Sequence, residues 1–179
     1  MRQLLAAAFK DTVDQIKADM AMMPLTRWNE SVFRFIFSRA VTKRDPEITQ
    51  FFECNRIDLV LHRKSERAFV EFKFYIHSPR CDLLSGAERG MKGGPGNKNF
   101  GEFKKCVRAL KRRPNAHGVL KLVALFYSDP ATRAKYDAYY GDSSVVERQL
   151  RIRRLVSITP FPLDDSGSIC NARLYEVGP

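Results

Sequence analysis

Histidine, cysteine and tryptophan are scarce in this chain of 179 residues, at three, four and one respectively. The cysteines, Cys54, Cys81, Cys106 and Cys170, stand 27, 25 and 64 residues apart, with no CxxC pair and no histidine at ligand spacing. This argues against a zinc cluster, whose ligands come in close pairs. Cys54, Cys106 and Cys170 lie in or beside apolar periodic segments, so buried free thiols in a reducing compartment are expected in preference to disulfides. Long apolar runs are missing too: no segment approaches the ~18 residues that a membrane span requires. The N-terminal apolar run is broken by Lys10, Asp11 and Asp14, which is unlike a secretion signal. A cytoplasmic chain without a membrane partner is expected.

Acidic residues are also in short supply. Twenty Asp and Glu face 31 Lys and Arg, a formal charge of +11, which points to a polyanionic partner. What is present is ordinary globular material: 44% hydrophobic and 28% charged residues, with 13 Phe. Residues 1–179 are long enough to bury one core without a disulfide or structural metal, and no repeat or linker divides them.

Periodicity gives the element order. Leu4, Leu5, Ala8, Phe9, Thr12, Val13, Ile16 and Met20 recur at helical spacing and predict a helix over 3–22, ended by Pro24. A second helical pattern runs from after Thr26 to about Val41, with Val32, Phe33, Ile36, Phe37 and Ala40 as its stripe and Glu30 at the edge or on the inward side. From Ile48 the period becomes two, reading as one long strand or two strands meeting near Cys54 and Asn55. A turn at 64–67 leads to a strand in which Ala68, Val70, Phe72, Phe74 and Ile76 alternate with Phe69, Glu71, Lys73 and Tyr75. Residues 77–101, rich in glycine, predict an irregular connection with a short helical turn at 82–89; its Lys92 and Lys98 suit a flap over a polyanion.

A basic amphipathic helix follows over 101–113, then an apolar strand over 119–128, then a helix from Asp129 and Pro130 through Tyr140. Residues 143–157 read as a helix or partly strand, with Val146, Leu150 and Val156 inward and Arg148, Arg151, Arg153 and Arg154 outward; 168–177 read as a terminal strand. The fold class is α/β, a mixed β-sheet flanked by helices.

The feature that carries chemistry is Asp58 in RIDLV, followed thirteen residues later by Glu71-Phe72-Lys73 in VEFKF. On adjacent hairpin strands these groups converge on one side of a sheet whose other side is apolar. Two close carboxylates make a hard-cation site, and a lysine beside them offsets their repulsion, orients water and stabilises charge on a phosphate.

These residues resemble the PD-(D/E)xK nuclease superfamily, the restriction-endonuclease-like fold, over roughly 27–128. The resemblance implies a divalent-metal phosphodiesterase, with Mg²⁺ or Mn²⁺ held by Asp58, Glu71, the Phe72 carbonyl and Glu30, and with Lys73 as catalytic lysine beside Glu71, Asp58 and Glu30. It also implies a cation on the helix after the third strand, for which Lys104, Lys105 and Arg108 are candidates, Lys105 or Arg108 preferred. The family's proline before the aspartate is absent here, its place taken by Arg56-Ile57.

On that reading Lys104, Lys105, Arg108, Lys111, Arg112, Arg113, Arg151 and Arg154 neutralise phosphates, of DNA in preference to RNA. A homodimer or a specificity-giving protein partner is compatible with the size. The competing reading is a nucleic-acid-binding or protein-interaction domain with the same fold and no productive metal centre. A membrane-surface role is disfavoured by the acidic polar side of the first helix.

Overall fold

The computed structural model describes residues 1–23, 28–81, 88–92, 94–114, 118–130, 140, 145–162 and 168–178. Helices α1 (Arg2–Asp19) and α2 (Glu30–Arg44) precede a meander of β1 (Thr49–Cys54), β2 (Ile57–Arg63) and β3 (Glu66–Tyr75). A small hairpin, β4 (Ser78–Cys81) with β5 (Glu88–Lys92), leads to α3 (Asn97–Lys111) and β6 (Val119–Pro130). Helix α4 (Val145–Leu150) and strands β7 (Ile152–Ser157), β8 (Phe161–Pro162) and β9 (Ser168–Val177) complete the order. The main sheet runs β1-β2-β3-β6-β9-β7, with β8 added against β9. Among the described residues only the β3–β6 pair is parallel, and α3 lies in the crossover that a parallel pair requires. The fold is therefore a mixed α/β sheet flanked by helices.

Alternation divides the core into two layers. Leu59, Leu61, Ala68, Val70, Phe72, Leu122, Ala124 and Phe126 meet Leu5, Phe9, Val13, Phe33 and Phe37 of the first two helices. Phe33 packs edge-on against Phe72 at 5.3 Å and against Phe126 at 5.8 Å. Each such buried ring contributes about 1.5–3 kcal/mol. On the opposite face Val60, Tyr75, Val123, Leu125, Tyr127 and Tyr175 are covered by Phe103, Val107 and Leu110 of α3. Both faces of the sheet are thus apolar, whereas the alternation of β2 and β3 had implied one apolar side and one polar side. The reason is α3, whose apolar stripe needs a partner and takes it from the face that also bears Asp58 and Glu71.

Local chemistry sets the elements that carry the site. Asn29 caps α2, its side-chain oxygen accepting the Val32 amide at 3.1 Å, which fixes Glu30 as the first helical residue. A carboxylate there also suits the positive end of the helix dipole. Asn55 and Arg56 both have positive φ, 52° and 63°, as a two-residue hairpin turn demands, so the stretch from Ile48 is two strands. Gly118, at φ 78°, lets its carbonyl accept the Arg67 amide at 2.8 Å; a Cβ there would stand 3.0 Å from the Ser65 carbonyl oxygen.

Several elements differ from the sequence expectation. The connection read as irregular over 77–101 contains the β4–β5 pair, and α3 begins at Asn97, earlier than 101. Glu88 is extended, while 82–87 of the expected helical turn lie outside the described residues. Asp129 and Pro130 end β6 and do not start a helix: a proline, which lacks an N–H, is tolerated at a strand terminus. The helix expected through Tyr140 lies outside the described residues except for Tyr140 itself, which is helical. The 143–157 segment is split into α4 and β7 at Arg151, which has φ 47°. Among the described residues, no helix is long and apolar enough to cross a membrane.

Candidate functional site

Asp58 occupies a gap in the sheet. The β1–β2 register pairs Phe52 with Leu59 and Cys54 with Ile57 but skips Glu53 and Asp58, and Glu53 has φ 51°. On the other side the β2–β3 ladder stops at Leu59–Val70, one step before Asp58 and Glu71 would meet. Side chains replace the missing backbone partners. The Phe72 amide donates to Asp58 Oδ2 at 2.8 Å, and Arg34 Nη1 of α2 donates to the Asp58 carbonyl at 3.4 Å. Arg34 also stands 3.7 Å from Asp58 Oδ1 and 2.9 Å from Glu53. A buried backbone group must find a partner, and here the substitutes hold the Asp58 carboxylate in a fixed orientation.

Lys73 completes the arrangement. Its ammonium donates to the Phe72 carbonyl, lies 3.3 Å from Glu30 and reaches Asp58 at 4.0 Å. Side-chain exposure is 16% for Lys73, 21% for Asp58 and 40% for Glu30, so the lysine is the most enclosed of the three and Glu30 forms the solvent rim. Glu30, Asp58, Glu71, the Phe72 carbonyl and Lys73, read from α2, β2 and β3, are brought to one place.

The electrostatics follow from three carboxyl groups sharing this space with Lys73 and Arg34. Burial, then the neighbouring Asp58 charge, pushes the Glu71 carboxyl up to about 8, against the pull of Lys73. Glu30 is pushed up by burial and by Asp58, opposed by Lys73 and Arg34. Burial works against the Lys73 ammonium, but Glu30 first, then Cys106, Asp58 and Glu71, outweighs it and holds the group above the ordinary lysine range. Glu71 is therefore protonated at neutral pH while no further cation is added.

Whether the residues suit a divalent cation can be judged from the lysine. Its ammonium is a cation surrounded by oxygens of Glu30, Asp58 and the Phe72 carbonyl, the all-oxygen donor set that Mg²⁺ or Mn²⁺ prefers. The protonated Glu71 adds a further donor that a second cation would ionise. The donor chemistry fits. The geometry is not a finished cage: among the described residues, no group of three or more His, Cys, Asp or Glu side chains is already arranged to hold a metal.

Three participants had no signal in the sequence. Arg34 lies on the helix stripe's flank and its role depends on the β1–β2 gap. Cys106 is the α3 residue coupled to the cluster: burial pushes its thiol up, and Glu71, Asp58 and Glu30 add to this against Lys73. Tyr75, two residues after Lys73, is buried, and its hydroxyl has no hydrogen-bond partner among the described residues. Its phenol is pushed up by burial.

The basic residues are distributed over the surface. Lys105 and Arg108 are exposed on α3, as are Arg112 just past its end and Arg151. Lys104 covers the Phe100 ring at 4.6 Å, Arg113 donates to the Asn55 carbonyl at 2.5 Å, Lys111 is half-buried, and Arg154 lies 3.4 Å from Glu147. Lys105 and Arg108 thus face solvent, and Cys106 occupies the α3 position toward the acids. Gly94, within the glycine-rich segment, packs on His77, where a Cβ would fall 1.9 Å from the ring; the side chain of Lys92 lies outside the described residues. Cys54, Cys106 and Cys170 are free thiols. No family model matches the chain, and neither a curated protein nor a solved structure matches it.

Proposed function

We propose that the chain is a divalent-metal-dependent nuclease with a restriction-endonuclease-like core, hydrolysing phosphodiester bonds, with DNA the preferred substrate. The observation that carries the reading is the Lys73 ammonium set among oxygens of Glu30, Asp58 and the Phe72 carbonyl, with Glu71 coupled electrostatically to Asp58 and Lys73, at a point where both ladders flanking Asp58 are interrupted. The order α2-β1-β2-β3-α3-β6, with an acid on the helix, an aspartate on the second strand and ExK on the third, agrees with it.

Asp58, Glu71, Glu30 and the Phe72 carbonyl would hold Mg²⁺ or Mn²⁺. When bound, the ion supplies Lewis-acid polarisation of the phosphate and makes water a stronger nucleophile. The chain's own part is positional. Asp58 is oriented by the Phe72 amide and Arg34, so its free lone pairs point in a fixed direction. Lys73, held among oxygens of Glu30, Asp58 and the Phe72 carbonyl, would orient the attacking water and stabilise charge developing on the phosphate. Exposed Lys105, Arg108 and Arg112 attract the backbone without reading sequence.

A binding domain without catalysis is the second reading, favoured by the lysine already neutralising the acids and by the absence of a preassembled cage among the described residues. Linear, nicked, circular and single-stranded DNA, and RNA, incubated with Mg²⁺, Mn²⁺ or chelator, separate the two. Divalent-dependent cleavage lost in Asp58→Ala, Glu71→Ala and Lys73→Ala supports the nuclease. Binding without cleavage of any substrate supports the binding domain.

A further inference from the structure

A second concavity opens on the same sheet face as the acids, between β2, β3 and the end of α3. Its volume is about 290 Å³, at the small end of ligand-sized cavities. The floor is Val60 and Phe69, flanked by Ile57 and His62, and its rim carries Arg67 and Arg113. Among the described residues, no carboxylate lines it. Phe69 and His62 are half-buried, so part of each side chain is open to solvent, and His62 is steadied by an edge contact with Phe51 at 5.3 Å. Arg67 is exposed, and no salt bridge or side-chain hydrogen bond of its guanidinium is found among the described residues. Arg113 is anchored by one bond to the Asn55 carbonyl, which leaves its other donors for a ligand.

Apolar floor, ring faces and two cations at the rim are the features that recognise a flat aromatic group attached to an anion. Position narrows this further. Val60 and Phe69 are the same-face neighbours of Asp58 and Glu71, one step along their strands, about 7 Å away. That separation is roughly one nucleotide of an extended chain. We infer that this cavity receives an unpaired base of the substrate, one nucleotide from the reacting phosphodiester, with Arg67 and Arg113 on the adjoining phosphate. The inference rests on the nuclease reading and deepens it: the substrate class is single-stranded DNA, because a base inside a duplex would first have to be unstacked and flipped out, at a cost of a few kcal/mol that a single strand does not incur.

The test measures binding with chelator present, so that it is read apart from cleavage. The full chain is titrated into a fluorescein-labelled single-stranded DNA hexamer, the same hexamer with abasic sites, and the corresponding duplex. Wild type is expected to bind the intact single strand about tenfold more tightly than the abasic strand, and Phe69→Leu to remove most of that difference. Arg67→Gln, at an exposed residue with no packing role, is expected to weaken the intact strand several-fold, which keeps the test decisive should Phe69→Leu fold poorly. Equal affinity for intact and abasic strands, tighter binding of the duplex, or unchanged discrimination in both variants overturns the pocket assignment. Divalent-dependent cleavage persisting beside any of those results leaves the nuclease standing without the pocket. Base-dependent binding without cleavage under Mg²⁺ or Mn²⁺ supports the pocket and removes the nuclease.

Discussion

The carboxylate of Asp58 accepts the Phe72 amide proton at 2.8 Å, taking a position that the β2–β3 ladder would otherwise give to a backbone carbonyl. One side chain thereby closes the gap in the sheet and is aimed by it. Asp58→Ala is expected to leave the Phe72 amide without a partner, costing about 1–3 kcal/mol in denaturant unfolding, and to abolish cleavage. Asp58→Asn keeps the acceptor, so its stability should lie within about 1 kcal/mol of wild type while cleavage is still lost.

Lys73 is the cation that the surrounding oxygens share. Replacing it by Met leaves three carboxyl groups with Arg34 alone. The expected outcome is cleavage reduced by about 10²–10⁴-fold, as for loss of a positioned acid–base group, with the variant still folded by circular dichroism.

The Glu71 carboxyl has a folded-state value of about 8 against an ordinary 4.5. Between these values the unfolded chain has ionised this group and the folded chain has not, so the folded state binds the extra proton. Without divalent ions, stability contributed by Glu71 is fully present below pH 4.5 and is lost as pH rises through about 8. Urea melts across that interval should show the decline in wild type and a flatter profile in Glu71→Gln. A decline of equal size in both would assign it to other groups.

Much of this was legible in the sequence, and the reasons are local. Ala68, Val70 and Phe72 alternate because they line one apolar layer, and Phe103, Val107 and Leu110 repeat at helical period because they cover the other. Glu30, Asp58, Glu71 and Lys73 stood out because charged groups interrupt these patterns. What was hidden depends on partners far along the chain. Arg34 acquires its role from the register skip at Glu53, and Cys106 from the way α3 crosses β3, neither of which has a composition signature. The β4–β5 pair was masked by glycine and proline, which read locally as irregular. The break between α4 and β7 falls at Arg151, whose positive φ is one that a non-glycine sequence does not announce.

Lys105 and Arg108 on α3, with Arg112 at its C-terminal cap, are the exposed cations that the proposed reading sets against a polyanion. Substituting all three by Gln should reduce the slope of log affinity against log salt by about 2 on single-stranded DNA, at ~0.7 per phosphate contact. An unchanged slope would move the binding surface elsewhere.

Cys106 and Cys54 are both half-buried, but Cys106 lies beside the acids, and burial together with Glu71 pushes its thiol up, whereas Cys54 sits at the β1–β2 turn. Iodoacetamide at neutral pH, followed by peptide mass analysis, should label Cys54 well before Cys106. Faster labelling of Cys106 would mean that α3 does not cover the cluster.

Binding of Mn²⁺, followed by its paramagnetic resonance signal in the absence of nucleic acid, tests the proposed centre most directly. The account predicts saturable binding to wild type that strengthens as pH rises toward about 8, where Glu71 gives up its proton, and that is lost in Asp58→Asn. Absence of saturable binding, or equal binding by Asp58→Asn, would contradict it.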